Sequence, residues 1–523
     1  MGNEITYDNA SSAELISPKE SSDGPQTIHG GDTQDIGCHS NSTQLSALSN
    51  NKNAEILKKY EKDYPLGPHD KPQSMCPAFG SLRVGLRMKR VATVLSGSAC
   101  CVYGLSFVSH FYGARRSVGY VPFNSESLVT GKLFEDIRDA VHDMADPKNY
   151  DAIVVTNLCV PTASGVPLRL LPNEINGVRI IGIDVPGFGV PTHAEAKDIL
   201  AGAMLNFARQ EVEAGPVAAP SSGKSDRPTL AMLGEMFPAD PMVIGSILAP
   251  MDLAAGPVLP AREWREMYAA LDCSAVAAIH PFYTATMREF DAAGRPSIGS
   301  APVGYEGTAS WLESVGEVFG VSKAKVSKAK NAVLPNIKKS IKDNKIKGRI
   351  TVSGYEGSEL IVARLLSESG IDVPYVGTAC PRTSMAEQDA QWLEAKGAVV
   401  KFRASLEDDI SAAEALEPDL AIGTTPLVQH FKQKGKSALY FTNLVSARPL
   451  MGQAGVGSFN QLINGVLNNS EKMQSLQNFF EGVGSDDTSG VWEGEPNLRP
   501  EFRAQNQKKL EKAARAAKAA EMI

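Results

Sequence analysis

The sequence predicts three doubly wound α/β domains with parallel sheets. Three observations point there. Short, continuous, β-branched apolar runs recur along the chain, as buried parallel strands require. Amphipathic helical patterns lie between them, so the order is strand, helix, strand, many times over. And the 523 residues, with 43% hydrophobic and 21% charged, suffice for several cored domains of ordinary globular composition.

Residues 1–70 read as a polar arm. The first 47 or so are Ser-, Asn-, Asp- and Gly-rich without periodicity, which predicts disorder. A short amphipathic helix is expected over Asn51–Tyr60. The start, MGNEITYDNASSAEL, has neither the basic nor the apolar region of a signal peptide. Gly2 and Thr6 formally match a myristoylation pattern, a short motif with little specificity.

The first domain is expected over residues 71–215. Its strands are VATVL (91–95), AIVVT (152–156) and RIIGI (179–183). In SLVTGKLFEDIRDAVHDM, residues Leu133, Ile137, Val141 and Met144 share a helical face. THAE (192–195) reads as a capping box, with Thr192 as N-cap and Glu195 at N3. Behind it Ala196, Ile199, Leu200, Ala203, Met204 and Phe207 continue at helical spacing.

The linker GPVAAPSSGKSDRP leads to a second domain over 228–347. TLAML and PMVIGSIL open it, followed by the helix AREWREMYAAL, the strand AVAAI and a helix starting at Thr308. A lysine-rich connecting helix follows, expected to be exposed and broken at Pro335. The third domain, 348–460, opens with the βαβ unit RITVSGYEGSELIVARLLSESGIDVPYVGT and adds GAVVKF, DLAIGT and SALYFT. Residues 461–523 read as a helical extension; NQKKLEKAARAAKAAEMI is a strong helix former.

Charge and cysteine usage exclude several functions. A net charge of -7 argues against a nucleic-acid binder. No apolar run reaches the ~20 residues of a membrane span. Seven cysteines without a framework pattern fit a reducing, cytoplasmic compartment.

The chemistry-bearing residues are cysteines beside strands. Cys76 precedes the first strand, in MCPAFG; Cys100 and Cys101 follow it, in the loop GSACC; Cys159 follows the second, in TNLCVP. Ligands of such sheets sit outside the carboxyl ends of strands. The spacings match no zinc, haem or ferredoxin signature. Two readings stay open: buried structural thiols, or an iron–sulfur cluster assembled from separate strand ends. Cys38 lies in the arm, and Cys273 and Cys380 are assigned to packing. His110, Tyr112 and His193 are proton-donor candidates by position alone. GYEGS (354–358) reads as a strand–helix turn rather than a phosphate cradle, and no GxxxxGK[ST] loop occurs.

These residues resemble the catalytic components of the nitrogenase-like (component 1) family. The strongest stretch is CPAFGSLRVGLRMKRVATVLSGSACCVYGLSFVSHFYGARRSVGYVPFNSESLVTGKLFEDIRDAV. GSACC takes the place of the family's Gly-Pro-x-x-Cys turn, with Cys101 rather than Cys100 at its cysteine. TNLCVP resembles the strand-end Cys-Pro segment, although Val160 separates Cys159 from Pro161. IDVPGFGVPTHAEAKDILAGAM and PVGYEGTASWL resemble further family segments, and the likeness runs from about Pro72 to about Ser458.

Within the family the likeness is to Y-type subunits of the chlorophyllide a reductases of dark-operative bacteriochlorophyll synthesis. It implies a Rossmann-like nitrogenase component 1 fold. It also implies a 4Fe–4S cluster held by Cys76, Cys101 and Cys159 with a fourth ligand from a Z-type partner, in a Y2Z2 heterotetramer. An X-type iron–sulfur reductase subunit would use ATP and deliver electrons. The implied reaction reduces the C7=C8 bond of ring B of chlorophyllide a to give 3-vinyl bacteriochlorophyllide a. Cys380 and His430 form no obvious pair for a nitrogenase cofactor, so dinitrogen reduction is not implied. The alternatives are a protochlorophyllide ring D reductase subunit and a non-catalytic cluster-assembly scaffold. A dinucleotide-binding enzyme is a poorer fit, since no GxGxxG follows the first strand.

Overall fold

The computed structural model describes residues 52–63, 76–111, 118–217, 226–234, 240–445 and 449–472, with 508, 511 and 512. The expectations of a disordered arm and of most of the helical tail lie outside these. Lys52–Asp63 is helical, as the pattern around Asn51–Tyr60 implies, and Lys508, Glu511 and Lys512 are helical in the tail.

Fourteen strands among the described residues form three sheets. The first sheet contains β1 (Val91–Ser96), β2 (Val118–Val121), β3 (Ala152–Asn157), β4 (Glu174–Ile175) and β5 (Val178–Asp184), in the order β2-β1-β3-β5-β4. All its pairings are parallel except the two-residue β4, which turns back onto β5, so this sheet is not wholly parallel as expected. Asn176 (φ 53°) and Gly177 (φ 82°) make that reversal, the conformation a tight hairpin requires.

The second sheet holds β6 (Thr229–Leu233), β7 (Ala254–Leu259), β8 (Ala275–Ala278) and β9 (Ser297–Gly299), ordered β7-β6-β8-β9. The third holds β10 (Ile350–Gly354), β11 (Tyr375–Thr378), β12 (Val399–Phe402), β13 (Leu420–Gly423) and β14 (Ala438–Tyr440), ordered β12-β11-β10-β13-β14. Both are parallel throughout. In the first and third sheets the chain starts at a central strand, winds to one edge, then returns to build the other. That reversal leaves a crevice at the carboxyl ends of neighbouring strands.

The expected helical faces are buried. Leu133, Ile137 and Val141 are fully covered, on a helix that begins at Lys132 because Gly131 (φ 77°) ends the preceding turn. Thr192 caps His193–Ala214 through Glu195 N–H, 3.1 Å away. Glu195 does not close the box back onto the backbone; its carboxylate goes to Thr192 Oγ1 and Arg403 instead. The apolar run PMVIGSIL is a helix, Pro241–Leu248, because Asp240 caps it and Pro241 is preset for the first turn. The helix expected from Thr308 begins at Tyr305.

Pro335 does not break the lysine-rich helix, which runs from Lys323 to Asp343. Its own Ala329, Leu334, Ile337 and Ser340 are buried, so it is amphipathic rather than exposed all round. Apolar packing crosses the three sheets: one core joins β6 and β8 to β10 and β13, and another joins β1 and β3 to the opposite face of β6 and β8.

Candidate functional site

The carboxyl edge of the first sheet brings three chain segments together. β1, β3 and β5 run side by side in parallel, and their ends are stitched stepwise. Leu158 N–H donates to Ser96 O (2.8 Å), and Val185 N–H to Asn157 O (3.0 Å). Gly97 lies against Leu158; a Cβ there would fall 2.5 Å from its Cδ1, so only glycine lets the two strand-end turns abut.

Just past those ends stand the thiols. Cys100 and Cys101 lie in the first turn of the helix Ala99–Phe111 rather than in a loop, and both are exposed. Cys159 opens the short helix Cys159–Ala163 and is half-buried. Cys76 is exposed, immediately before the helix Ala78–Arg87. Gly187, beyond β5, donates its N–H to Cys159 Sγ at 3.1 Å.

Electrostatics tie the set together. Although Cys76 is exposed as a residue, the chain packed around its sulfur partly desolvates the thiol and pushes it up; its backbone hydrogen bond opposes this, and the Cys159 charge adds to it. Cys101 is raised by burial first, then by its hydrogen bond to Cys100 and the charges of Cys100, Cys76 and Cys159. Thiols gathered in this way resist ionising together, and a bound cation would offset the charge of their thiolates. Among the described residues, no group of three or more His, Cys, Asp or Glu could hold a single metal ion. A four-iron cluster asks for a wider set, since each thiolate takes a different iron. Three thiols from three segments, with a backbone N–H on one sulfur, fit that demand.

Two exposed aromatic residues flank the thiols. Tyr103 is 75% exposed, one turn along the Cys101 helix, and Phe188 is 67% exposed beside Gly187.

The other candidates separate. His193 is fully buried at the start of its helix, with Arg83 Nη1 3.3 Å from Nε2 and its ring 6.1 Å from that of Tyr355. It belongs to the interior, where Lys197 and Arg83 both reach Glu356 Oε2, at 3.0 and 3.4 Å. His110 lies on the Ala99–Phe111 helix, and Tyr112 falls outside the described residues. Cys273 and Cys380 are buried, away from this edge. His430 meets Glu414 at 2.8 Å.

The N–H groups of the GYEGS turn are already taken by a carboxyl of the chain itself. Glu359 takes the N–H groups of Glu356 (2.8 Å) and Gly357 (2.9 Å). A cleft of about 760 Å³ lies at the opposite, amino-terminal edge of the first sheet. Its charges are satisfied internally: Glu211 accepts from Arg179, Trp264 and Tyr268, and burial with Glu211 pushes the Tyr268 phenol up to about 12. The sequence did not reveal the roles of Gly187, Tyr103 and Phe188. The quoted PGFG segment contains the first and last of these, but nothing in it says which sulfur its N–H would face.

A parallel three-sheet α/β fold with cysteines at one sheet edge is the architecture of a known class, and the chain belongs to it: residues 76–468 match the family of nitrogenase component 1 type oxidoreductases. It is therefore an oxidoreductase. Among curated relatives, the chlorophyllide reductase 52.5 kDa chain of Cereibacter sphaeroides is 70% identical, covering 93% of this chain and 97% of that one. The protein of the same name from Rhodobacter capsulatus is 68% identical over 93% and 98%. A light-independent protochlorophyllide reductase subunit N from Synechococcus is 24% identical over 59% of this chain and 69% of that one. Among solved structures, nitrogenase Cp1 at pH 6.5 aligns with a TM-score of 0.60 at 15% identity, over 82% of this chain and 97% of that one. That likeness concerns the fold alone.

Proposed function

We propose that this chain is the Y-type subunit of a chlorophyllide a reductase. The observation that carries the chlorophyllide reductase reading is the 70% identity, across nearly the full length of both chains, to a chlorophyllide reductase chain; the Y-type assignment rests on the sequence resemblance. In the proposed reaction the π bond between C7 and C8 of ring B is lost and two C–H bonds form, giving 3-vinyl bacteriochlorophyllide a. Two electrons arrive singly from an X-type, ATP-dependent iron–sulfur subunit, and two protons complete the balance.

Cys76, Cys101 and Cys159 would hold a 4Fe–4S cluster, with the fourth ligand from a Z-type partner in a Y2Z2 assembly. When bound, that cluster supplies one-electron redox chemistry. The rest falls to the polypeptide. The abutting turns at Gly97 and Leu158 set the spacing of Cys101 and Cys159. Gly187 N–H orients the Cys159 sulfur and stabilises negative charge on it. Tyr103 and Phe188 offer apolar cover that a partner chain would complete, keeping water from the edge. Cys100 is the neighbouring rival, and only the family turn prefers Cys101 to it. Among the described residues no helix is long and apolar enough to cross a membrane, and the proposed compartment is the cytoplasm.

The test is anaerobic co-purification with the Z-type partner, followed by iron counting and low-temperature EPR after dithionite reduction. Wild type is compared with Cys76→Ser, Cys100→Ser, Cys101→Ser and Cys159→Ser, and chlorophyllide a consumption is read by absorbance with the X-type subunit and ATP. A 4Fe–4S signal altered in three variants but kept in Cys100→Ser supports the ligand set. Turnover of chlorophyllide a supports the substrate. A signal indifferent to all four changes overturns the site. Release of the cluster to an acceptor protein without pigment turnover makes the chain a scaffold.

A further inference from the structure

We propose that the solvent face of the Lys323–Asp343 helix is a docking surface for anionic lipid headgroups, which holds the protein against a membrane without inserting into it. The inference does not depend on the substrate assigned above.

Charge is segregated along this chain. Residues 323–347 carry nine lysines and one acid, Asp343, a balance of +8. With the whole chain at -7, everything else carries -15. A stretch this basic on an acidic protein has no role in bulk solubility, which the remaining charge already provides.

The fold sorts the lysines onto one side. At 100° per residue, Val326, Ala329, Val333, Leu334, Ile337 and Ile341 form a continuous stripe. That stripe packs into the core. Lys325, Lys328, Lys338, Lys339 and Lys342 occupy the opposite side and are exposed. Lys345 and Lys347 extend the row past the helix end, also exposed. Local acids neutralise little of it. Lys325 pairs with Asp252 at 2.8 Å, and Lys330, at the flank, pairs with Glu313. Lys328, Lys339, Lys342, Lys345 and Lys347 have no ion-pair partner among the described residues.

The occupant is indicated by what the face lacks. Protein interfaces deplete lysine and centre on Tyr, Trp, Phe, Met or Arg anchors. None of the exposed large apolar residues lies on this helix. Its exposed side offers strongly hydrated point charges on long, mobile stems. These suit a diffuse anionic surface, where each lysine adds independently and no fixed geometry is needed. The helix is 21 residues, so its row of charge extends for about 31 Å. Because the apolar stripe is spent on the core, the contact is electrostatic adsorption rather than burial in the acyl layer.

The experiment is vesicle co-sedimentation of the chain purified with its partner subunit. The vesicles are phosphatidylcholine alone, or phosphatidylcholine with phosphatidylglycerol, at low and high salt. The variants are Lys328→Glu/Lys339→Glu/Lys342→Glu and the matching triple arginine change, each checked by thermal melting. Wild type and the arginine variant should sediment with phosphatidylglycerol vesicles only, and release in high salt. The glutamate variant should partition on the order of a hundredfold more weakly. Equal sedimentation of wild type and the glutamate variant overturns the proposal. So does wild type that ignores anionic vesicles while the glutamate variant loses binding to an acidic subunit of the enzyme, which would assign the face to a protein.

Discussion

Arg403 donates from both guanidinium ends to Glu195, at 2.6 and 2.7 Å. The pair ties the turn after β12, in the third sheet, to the first turn of the long helix behind the cysteine edge. Arg403 stands at φ 55°, a left-handed conformation that costs a non-glycine residue about 1 kcal/mol. The two-pronged, charge-assisted contact offsets that cost.

Replacing Arg403 with Ala should therefore destabilise the protein by about 1–2 kcal/mol, discounted for the partial exposure of both side chains. Arg403→Lys should recover little, since an ammonium cannot make two parallel bonds. A double-mutant cycle with Glu195→Gln should return a coupling of about 1 kcal/mol. Strictly additive losses would show that the two side chains act independently.

Gly80→Ala should be among the most damaging small substitutions. A Cβ at Gly80 would sit 2.0 Å from the carbonyl oxygen of His193, which is backbone and cannot swing aside. The helix after Cys76 would have to move away from its neighbour, at a cost of about 3 kcal/mol or more. Both the melting temperature and the iron content should fall. If Gly80→Ala melts like wild type, the close helix contact is wrong.

The stability of the protein should depend on pH through Glu359. Burial raises this carboxyl from its ordinary value to about 7, despite its accepted hydrogen bonds. Between about pH 4.5 and 7, the unfolded chain has lost the proton that the folded chain keeps. Stability contributed by the neutral acid is thus full at low pH and is lost as pH rises through 7, by about 1.4 kcal/mol per pH unit. Glu359→Gln, a neutral mimic, should remove that slope. Melting temperatures of the two proteins from pH 5 to 8 should converge at the acid end and separate, with wild type falling relative to the variant, toward pH 7. Parallel curves would mean that Glu359 is ionised throughout.

Cys273 and Cys380 provide the control for the cysteine edge. Both are buried, and burial raises both thiols. Cys273→Ala and Cys380→Ala should each cost about 1–2 kcal/mol in packing while leaving the iron content unchanged. Iron lost from either variant with wild-type stability would place a ligand outside the proposed set.

Much of the fold was legible in the chain because local periodicity reports burial. β1, β3, β5, β6, β8 and the strands of the third sheet lie where continuous apolar runs place them. The helix faces around Ile137 and Leu200 follow the same rule. Short edge elements were less legible: β2, β7 and β9 are only partly apolar, and β4 exists because of its partner β5. PMVIGSIL is hydrophobic enough for either kind of element, and its capping by Asp240 makes it helical. Pro335 reads as a break, yet packing on both sides of it keeps the helix intact.

What the sequence determined by itself is the order of elements, the identity of the thiols and their positions beside strands, because each depends on residues close together in the chain. The tertiary structure decided which of these meet. It stacked the Gly97 turn on Leu158, aimed Gly187 N–H at Cys159, gave Glu195 to Arg403 and the Thr192 hydroxyl rather than to the N-cap backbone, and turned the lysines outward. Those relations join residues 28 to 208 positions apart. Parallel sheet pairing and close packing bring them together, and no local pattern of side chains encodes such distances.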